Sequence, residues 1–225
     1  MMRRHTDRSY EAELAALREK VARMGARVEG AVATATRAIV QRDAAMAESV
    51  RVEDRLVNRL EVEIDEDCRR ILALRQPAGS DLRFITTALK IVVDLERIGD
   101  LAANIAGRAI ELAEAPPLLS PPDVGRLSEL VQAQLSRAMR AFVDSDVALA
   151  EEVKGEDDLV DALYMKLFNQ LLGLMMEDSR NIRRLTALMF VAKHLERAGD
   201  HATNVAEMAI YLARGTDVRH PRSRA

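Results

Sequence analysis

Apolar residues recur every three or four positions along most of this chain, the period of an amphipathic helix. Leu14, Leu17, Val21, Met24, Val28, Ala31, Val32, Ala35 and Ile39 form one stripe and predict a first helix over about 10–42. Met46, Val50, Val57, Leu60, Ile64, Ile71 and Leu74 predict a second, opened by Asp43, whose short carboxylate suits an N-cap. The run Arg75-Gln76-Pro77-Ala78-Gly79-Ser80 breaks the pattern through its Pro and Gly. Ser80 or Asp81 then caps a third helix that runs to about 114 and stops at Ala115-Pro116-Pro117. Residues 115–122 read as a linker. Ser120-Pro121-Pro122-Asp123 reads as an N-cap with prolines in the first turn of a fourth helix, to about 143. Asp144 or Asp146 opens a fifth, to about 178, and Arg180-Asn181 starts a sixth that ends near Gly215. Residues 218–225 form a basic tail.

The chain also repeats itself. Residues 94–106 align with 194–206 at an offset of 100, and eight of the 13 pairs are identical, including Glu96/Glu196, Arg97/Arg197, Gly99/Gly199, Asp100/Asp200 and Asn104/Asn204. Arg83/Arg183 and Ile110/Ile210 extend the match. The second helix repeats at an offset of 103, pairing Asp43 with Asp146, Asp54 with Asp157 and Val57 with Val160. The mismatch of offsets places a three-residue length change near the 75–80 turn. Short connections favour antiparallel neighbours. The expected fold is therefore all-α: two tandem antiparallel three-helix bundles related by internal duplication, with domains over 1–115 and 121–217.

Composition supports helices and narrows the function classes. Hydrophobic residues make up 48% and aromatics only 3%, with no Trp, 10 Gly and 6 Pro, which disfavours a sheet protein. The net charge of −3 supplies no global field for nucleic acid, so none is expected as a partner. Cys68 is the only cysteine, which excludes an internal disulfide and fits a reducing compartment. Residues 1–10 lack an apolar core, so no signal peptide is expected. The most apolar stretch, 167–176, is about half the length a membrane span needs. A cytoplasmic protein is expected.

The candidate chemistry lies in the repeated block. Glu96 and Asp100 are four apart, as are Glu196 and Asp200, so each pair shares one helix face. Two carboxylates there repel unless something positive lies between them. Asn104 and Asn204 extend the stripe by a turn. The second helix adds Asp157 and Asp161 at the same spacing, and its first copy is the weaker pair Asp54 and Asn58. Carboxylates from two adjacent helices are how helical bundles build sites for hard metals, with iron, manganese, zinc or magnesium as candidates. The alternative is a structural network in which Arg97 and Arg197 neutralise the acids. His194 and His201 flank the second block, but Asp94 and Leu101 replace them in the first, so surface packing is their default role. Cys68 reads as a small core residue, and Met165, Met175 and Met176 read as core filling. Gly99 and Gly199 should admit a neighbouring helix closely. No nucleophile–base pair or Gly-rich phosphate loop is evident, so a non-enzyme is expected. Two competing classes are a carboxylate-bridged di-metal oxidase and a purely structural scaffold. The oxidase needs Glu-x-x-His on two helices, a pattern the sequence lacks.

Leu95-Glu-Arg-Ile-Gly-Asp100 and its copy over 195–200 resemble the phosphate-transport regulator family PhoU. So do Arg75-Gln76-Pro77, Asp81-Leu82-Arg83, Met175-Met176-Glu177-Asp178-Ser179-Arg180 and Asp217-Val218-Arg219-His220. The likeness spans nearly the whole chain, from Met24-Gly25 to the tail. It implies two three-helix bundles that bind metal ions, chiefly iron or zinc, through Glu96/Asp100, Glu196/Asp200 and Asp157/Asp161, with Asp54 beside the departing Asn58. It further implies a homodimeric negative regulator of high-affinity phosphate uptake and of the phosphate-starvation response. Its partners would be the ATPase subunit of a phosphate ABC transporter and a sensor histidine kinase. Contact with the membrane would come only through those partners.

Overall fold

A computed structural model describes residues 8–118 and 122–218. The described residues are helical throughout, without a strand. In chain order they form α1 (Arg8–Gln41), α2 (Ala44–Arg75), α3 (Ser80–Glu114), α4 (Val124–Asp144), α5 (Val147–Gly155), α6 (Asp157–Glu177), a 3-10 turn (Ser179–Asn181) and α7 (Ile182–Arg214). The first half is α1–α3. The second is α4, the pair α5–α6, and α7. Helices α1, α3, α4 and α7 pack together as an inner layer, α1 against α4 and α3 against α7. On one side α2 lies against α1 and α3, and on the other α5 and α6 lie against α4 and α7.

The apolar stripes explain this arrangement. Leu17, Val21, Met24, Val28 and Val32 of α1 are fully or nearly fully buried, as are Ile91, Leu95, Ile98, Ala102 and Ile105 of α3. Caps set several starts: Asp43 accepts from the Met46 amide, Asp146 from Leu149. Gly215, at φ +73°, ends α7 in the left-handed conformation that glycine adopts without strain. The three extra residues of the first half fall in the 76–79 turn, as the offsets require. Arg83 and Arg183, the matched arginines, tie the halves together: Arg83 Nε donates to the Leu212 carbonyl (2.8 Å) and Arg183 pairs with Glu111 (3.1 Å).

Several sequence expectations are corrected here. The fifth helix is two helices, α5 and α6, meeting at Gly155–Glu156. Glycine is a poor interior helix residue, and Arg137 of α4 holds Glu156 (2.5 Å) and Glu152 (3.0 Å) across the joint. The fourth helix starts at Val124, where Asp123 accepts from the Gly125 and Arg126 amides, so no proline occupies its first turn. Ser120 and Pro121 lie outside the described residues, as do residues 1–7 and the tail from Arg219. Gly79 holds the N-cap position of α3 with no side-chain cap, while Ser80 and Asp81 are already helical. Leu74 is 72% exposed, and Met165 and Met176 are 50% and 83% exposed, so none of the three is core. Those methionines sit on a side of α6 that no further helix covers among the described residues. No helix among the described residues is long and apolar enough to cross a membrane.

Candidate metal centre

The repeated block sits on the outward edge of α3 and α7, where each faces its half's peripheral helix. Close approach is built in. A Cβ on Gly99 would meet Val57 Cγ1 of α2 at 3.2 Å, and one on Gly199 would meet Val160 Cγ1 of α6 at 3.1 Å. Each glycine thus brings its helix near enough for carboxylates on both to converge.

In the second half they do converge. Carboxylate oxygens of Asp161 on α6 and of Glu196 and Asp200 on α7 lie within 4.8 Å of one another. Like charges so close disfavour ionisation, as does loss of water. Asp200 is pushed up to about 6, first by desolvation, then by Glu196, Asp157 and Asp161. Asp161 is raised for the same reasons, first by desolvation and then by Asp157 and Glu196. One ammonium answers the cluster: Lys193 donates to Glu196 Oε1 at 2.7 Å. Asp157 stands beside the trio and is tied back, accepting from Thr203 Oγ1 (2.8 Å), which accepts from Gln134 Nε2 (2.9 Å). Gln134 is 2% exposed, and its Oε1 has no hydrogen-bond partner.

The first half is looser. Arg97 spans Glu96 (3.5 Å) and Asp100 (3.4 Å) along the surface of α3. Asn58 Nδ2 donates weakly to Asp54 Oδ2 (3.4 Å), and Asp54 Oδ1 and Asn58 Oδ1 are buried without partners. Burial and then Asp100 raise both Asp54 and Glu96. Glu96, Asp100 and Asp54 do not bring three carboxylates together as the second half does. Arg97 is engaged along its own helix, not between helices, and Arg197 makes no ion pair among the described residues.

The other flagged residues find different roles. His201 Nδ1 lies 2.8 Å from Asp94 Oδ1, and Asn204 donates to the same oxygen (3.1 Å), so both face the other half and not the acids. Neither histidine joins the carboxylates, so the oxidase donor set is not assembled among the described residues. Burial lowers His194, with Arg108 and Arg197 adding to it. Cys68 is fully buried and its thiol is pushed up to about 12, chiefly by burial, which keeps it from thiolate chemistry. Gln134, Thr203 and Lys193 escaped sequence reasoning. Their repeat partners are Ala31, Ala103 and Val93, so duplication carried no signal for them.

Three carboxylates with a single ammonium suit a hard cation and fit it better than they fit one another. A pH test follows for the metal-free protein. The folded Asp200 takes its proton near pH 6, the unfolded one near 3.8. The folded state therefore binds more protons between those values, and stability should rise as pH falls through that window. Asp200→Asn should raise the melting temperature of chelator-treated protein at pH 7.5, by a margin that shrinks toward pH 4. A margin independent of pH would show that the carboxyl is unperturbed.

The two halves match the family model described as PhoU domain, over residues 21–109 and again over 124–209. The chain is 44% identical over 219 residues to the phosphate-specific transport system accessory protein PhoU homolog of Pseudomonas aeruginosa, covering 96% of this chain and 90% of that one. It is 45% identical over 208 residues to the protein of the same description from Aquifex aeolicus, covering 92% and 94%. The crystal structure of PhoU from Pseudomonas aeruginosa superposes with a TM-score of 0.89 at 43% identity, over 92% of this chain and 100% of that one. The phosphate transport system regulatory protein PhoU from Streptococcus pneumoniae gives 0.86 at 29% identity, over 94% and 100%. With a duplicated helical bundle, an acidic block at the same place in each half and full-length likeness on both counts, this chain belongs to the PhoU family.

Proposed function

We propose that this protein is the accessory regulator of a phosphate-specific transport system, acting in the cytoplasm by binding and not by catalysis. The carrying observation is the full-length likeness to proteins described as accessory to that system, at 44% identity over 96% of the chain. In this reading it restrains high-affinity phosphate uptake and the starvation response when phosphate is plentiful. Its partners are the transporter's ATPase subunit and a sensor histidine kinase, and it works as a homodimer. Two related bundles offer two related surfaces, which suits an adaptor between two partners. The net charge of −3 gives no reason to add nucleic acid.

The acidic block is proposed as its metal site. Asp161, Glu196 and Asp200 would hold the ion, with Asp157 at its edge. Asp54, Glu96 and Asp100 would hold a weaker one. A bound cation would neutralise the carboxylates and cross-link α6 to α7. Of iron and zinc, the all-carboxylate donor set leans to iron, since zinc sites favour nitrogen and sulfur ligands. Manganese and magnesium share the preference for oxygen.

Deletion of the gene should switch on a phosphate-starvation reporter in cells grown at high phosphate, and the wild-type gene supplied in trans should silence it. A deletion strain that keeps the reporter silent at high phosphate would sink the regulatory reading.

A further inference from the structure

The two halves also differ at a cavity of about 700 Å³ between the outer face of α2 and the end of α3. Arg51 and Arg55 of α2, Asn104 and Arg108 of α3, and His194 of α7 line it. At the equivalent place in the second half the space is closed. There Glu207, 8% exposed, pairs with Lys154 at 3.0 Å, Lys154 also donates to the Val218 carbonyl (2.7 Å), and Met208 is buried. The repeat aligns Glu207 with Gly107, Met208 with Arg108, Lys154 with Arg51 and Asp158 with Arg55. Gly107 thus removes both a carboxylate and the volume it fills: a Cβ there would meet nothing within 4 Å.

Charge changes with shape. Three guanidiniums and two carboxylates, Glu48 and Asp54, face the first cavity. The equivalent positions of the second half carry one lysine and five carboxylates: Glu151, Asp157, Asp158, Glu207 and, opposite His194 in the repeat, Asp94. Glu48 is engaged by Arg51 at 3.3 Å, and Arg108 reaches Glu111 at 3.0 Å while lying over the Phe190 ring. Arg55 makes no ion pair among the described residues, although its charge acts on the neighbouring Asp54 carboxylate. The inter-half contact also differs. Asp94 is satisfied by His201 and Asn204, whereas its counterpart His194 has a buried Nδ1 with no partner.

We propose that this first-half cavity binds a phosphate-class oxyanion, held by Arg51, Arg55 and Arg108 with Asn104 and His194 as further polar contacts. Guanidinium forks match tetrahedral oxyanions in geometry and charge. The volume lies within the range of small-ligand sites and admits either the free ion or a phosphorylated metabolite. The site is distinct from the carboxylate trio on α6 and α7 of the other half, and it borders the first half's acids through Asp54, which lines the cavity.

Isothermal titration of the chelator-treated full chain tests this with four probes: inorganic phosphate, pyrophosphate, ATP and adenosine. Saturable binding of a phosphate-bearing probe is expected, weakening as salt rises, with adenosine silent. Binding of inorganic phosphate would identify the free ion as sufficient. Binding of ATP or pyrophosphate alone would identify a larger phosphorylated ligand. Gly107→Glu and Arg55→Asp each install the second-half residue and should each weaken binding at least tenfold, with helicity and metal content at wild-type levels. No saturable binding of any phosphate compound at millimolar concentration, or unchanged affinity in both variants, would overturn the proposal. Metal content is read separately, so failure of the metal site leaves this result intact.

Discussion

Asp200→Ala should strip most of the bound transition metal from the purified protein while its helical circular dichroism stays unchanged. Asp200 shares the one place among the described residues where three carboxylates converge within 4.8 Å, and its own carboxyl is pushed up to about 6. Removing it leaves two acids, of which Glu196 is already answered by Lys193 at 2.7 Å. Loss of an outer-sphere partner alone typically lowers metal affinity about 10–100-fold, so loss of a charged ligand should cost at least as much. Asp100→Ala should have the smaller effect, because Arg97 already engages Asp100 and Glu96 along α3. Combining both should leave little metal. Elemental analysis of the protein purified without chelators decides the matter. Wild-type metal content in the double variant would make these carboxylates a structural network.

Gly25→Leu should lower the melting temperature more than any substitution at an open glycine. Gly25 is buried on α1, where the side chain of Met139 on α4 fills the space a Cβ would take, its Cε at 2.5 Å and Sδ at 2.9 Å. Methionine is flexible enough to accommodate a methyl group, so Gly25→Ala should be mild. A leucine has no such outlet in a packed interior, and overpacking of this kind costs about 1–3 kcal/mol or more. At roughly 2–4 °C per kcal/mol for a chain of this size, a fall of several degrees is expected. Gly30→Leu, with nothing within 4 Å of its Cβ, is the matched control. Met139→Ala should rescue part of the loss, since residues in contact couple energetically. A Gly25→Leu protein that melts with the wild type would mean that α1 and α4 do not cross there.

How far the sequence alone reached depended on the range of the physics involved. Helix positions were legible because burial on one face imposes a local period, and Leu17 to Ile39 and Leu95 to Ile105 are buried as that period requires. Caps such as Asp43, Asp146 and Gly215 were legible because capping is a contact within one turn. The two halves and the shared placement of Glu96/Asp100 and Glu196/Asp200 followed from duplication. Residues that act across helices were not legible. Nothing local distinguishes Met176, 83% exposed, from a core methionine, because the same stripe is buried or bare according to whether another helix covers it. Asn58 in place of Asp161 already marked the first copy as the weaker in sequence, but that its acids are spanned by Arg97 while the second copy's converge is decided by how α2 or α6 meets the shared motif. Gln134, Thr203 and the pairing of His201 with Asp94 depend on which helices meet, and at what depth. Sequence periodicity thus determined the elements and their repetition, while tertiary packing decided which charges converge and which cavity stays open. Period and capping act over a few residues, whereas convergence and closure depend on contacts between residues far apart in the chain, from Asp161 with Glu196 to Arg83 with the Leu212 carbonyl.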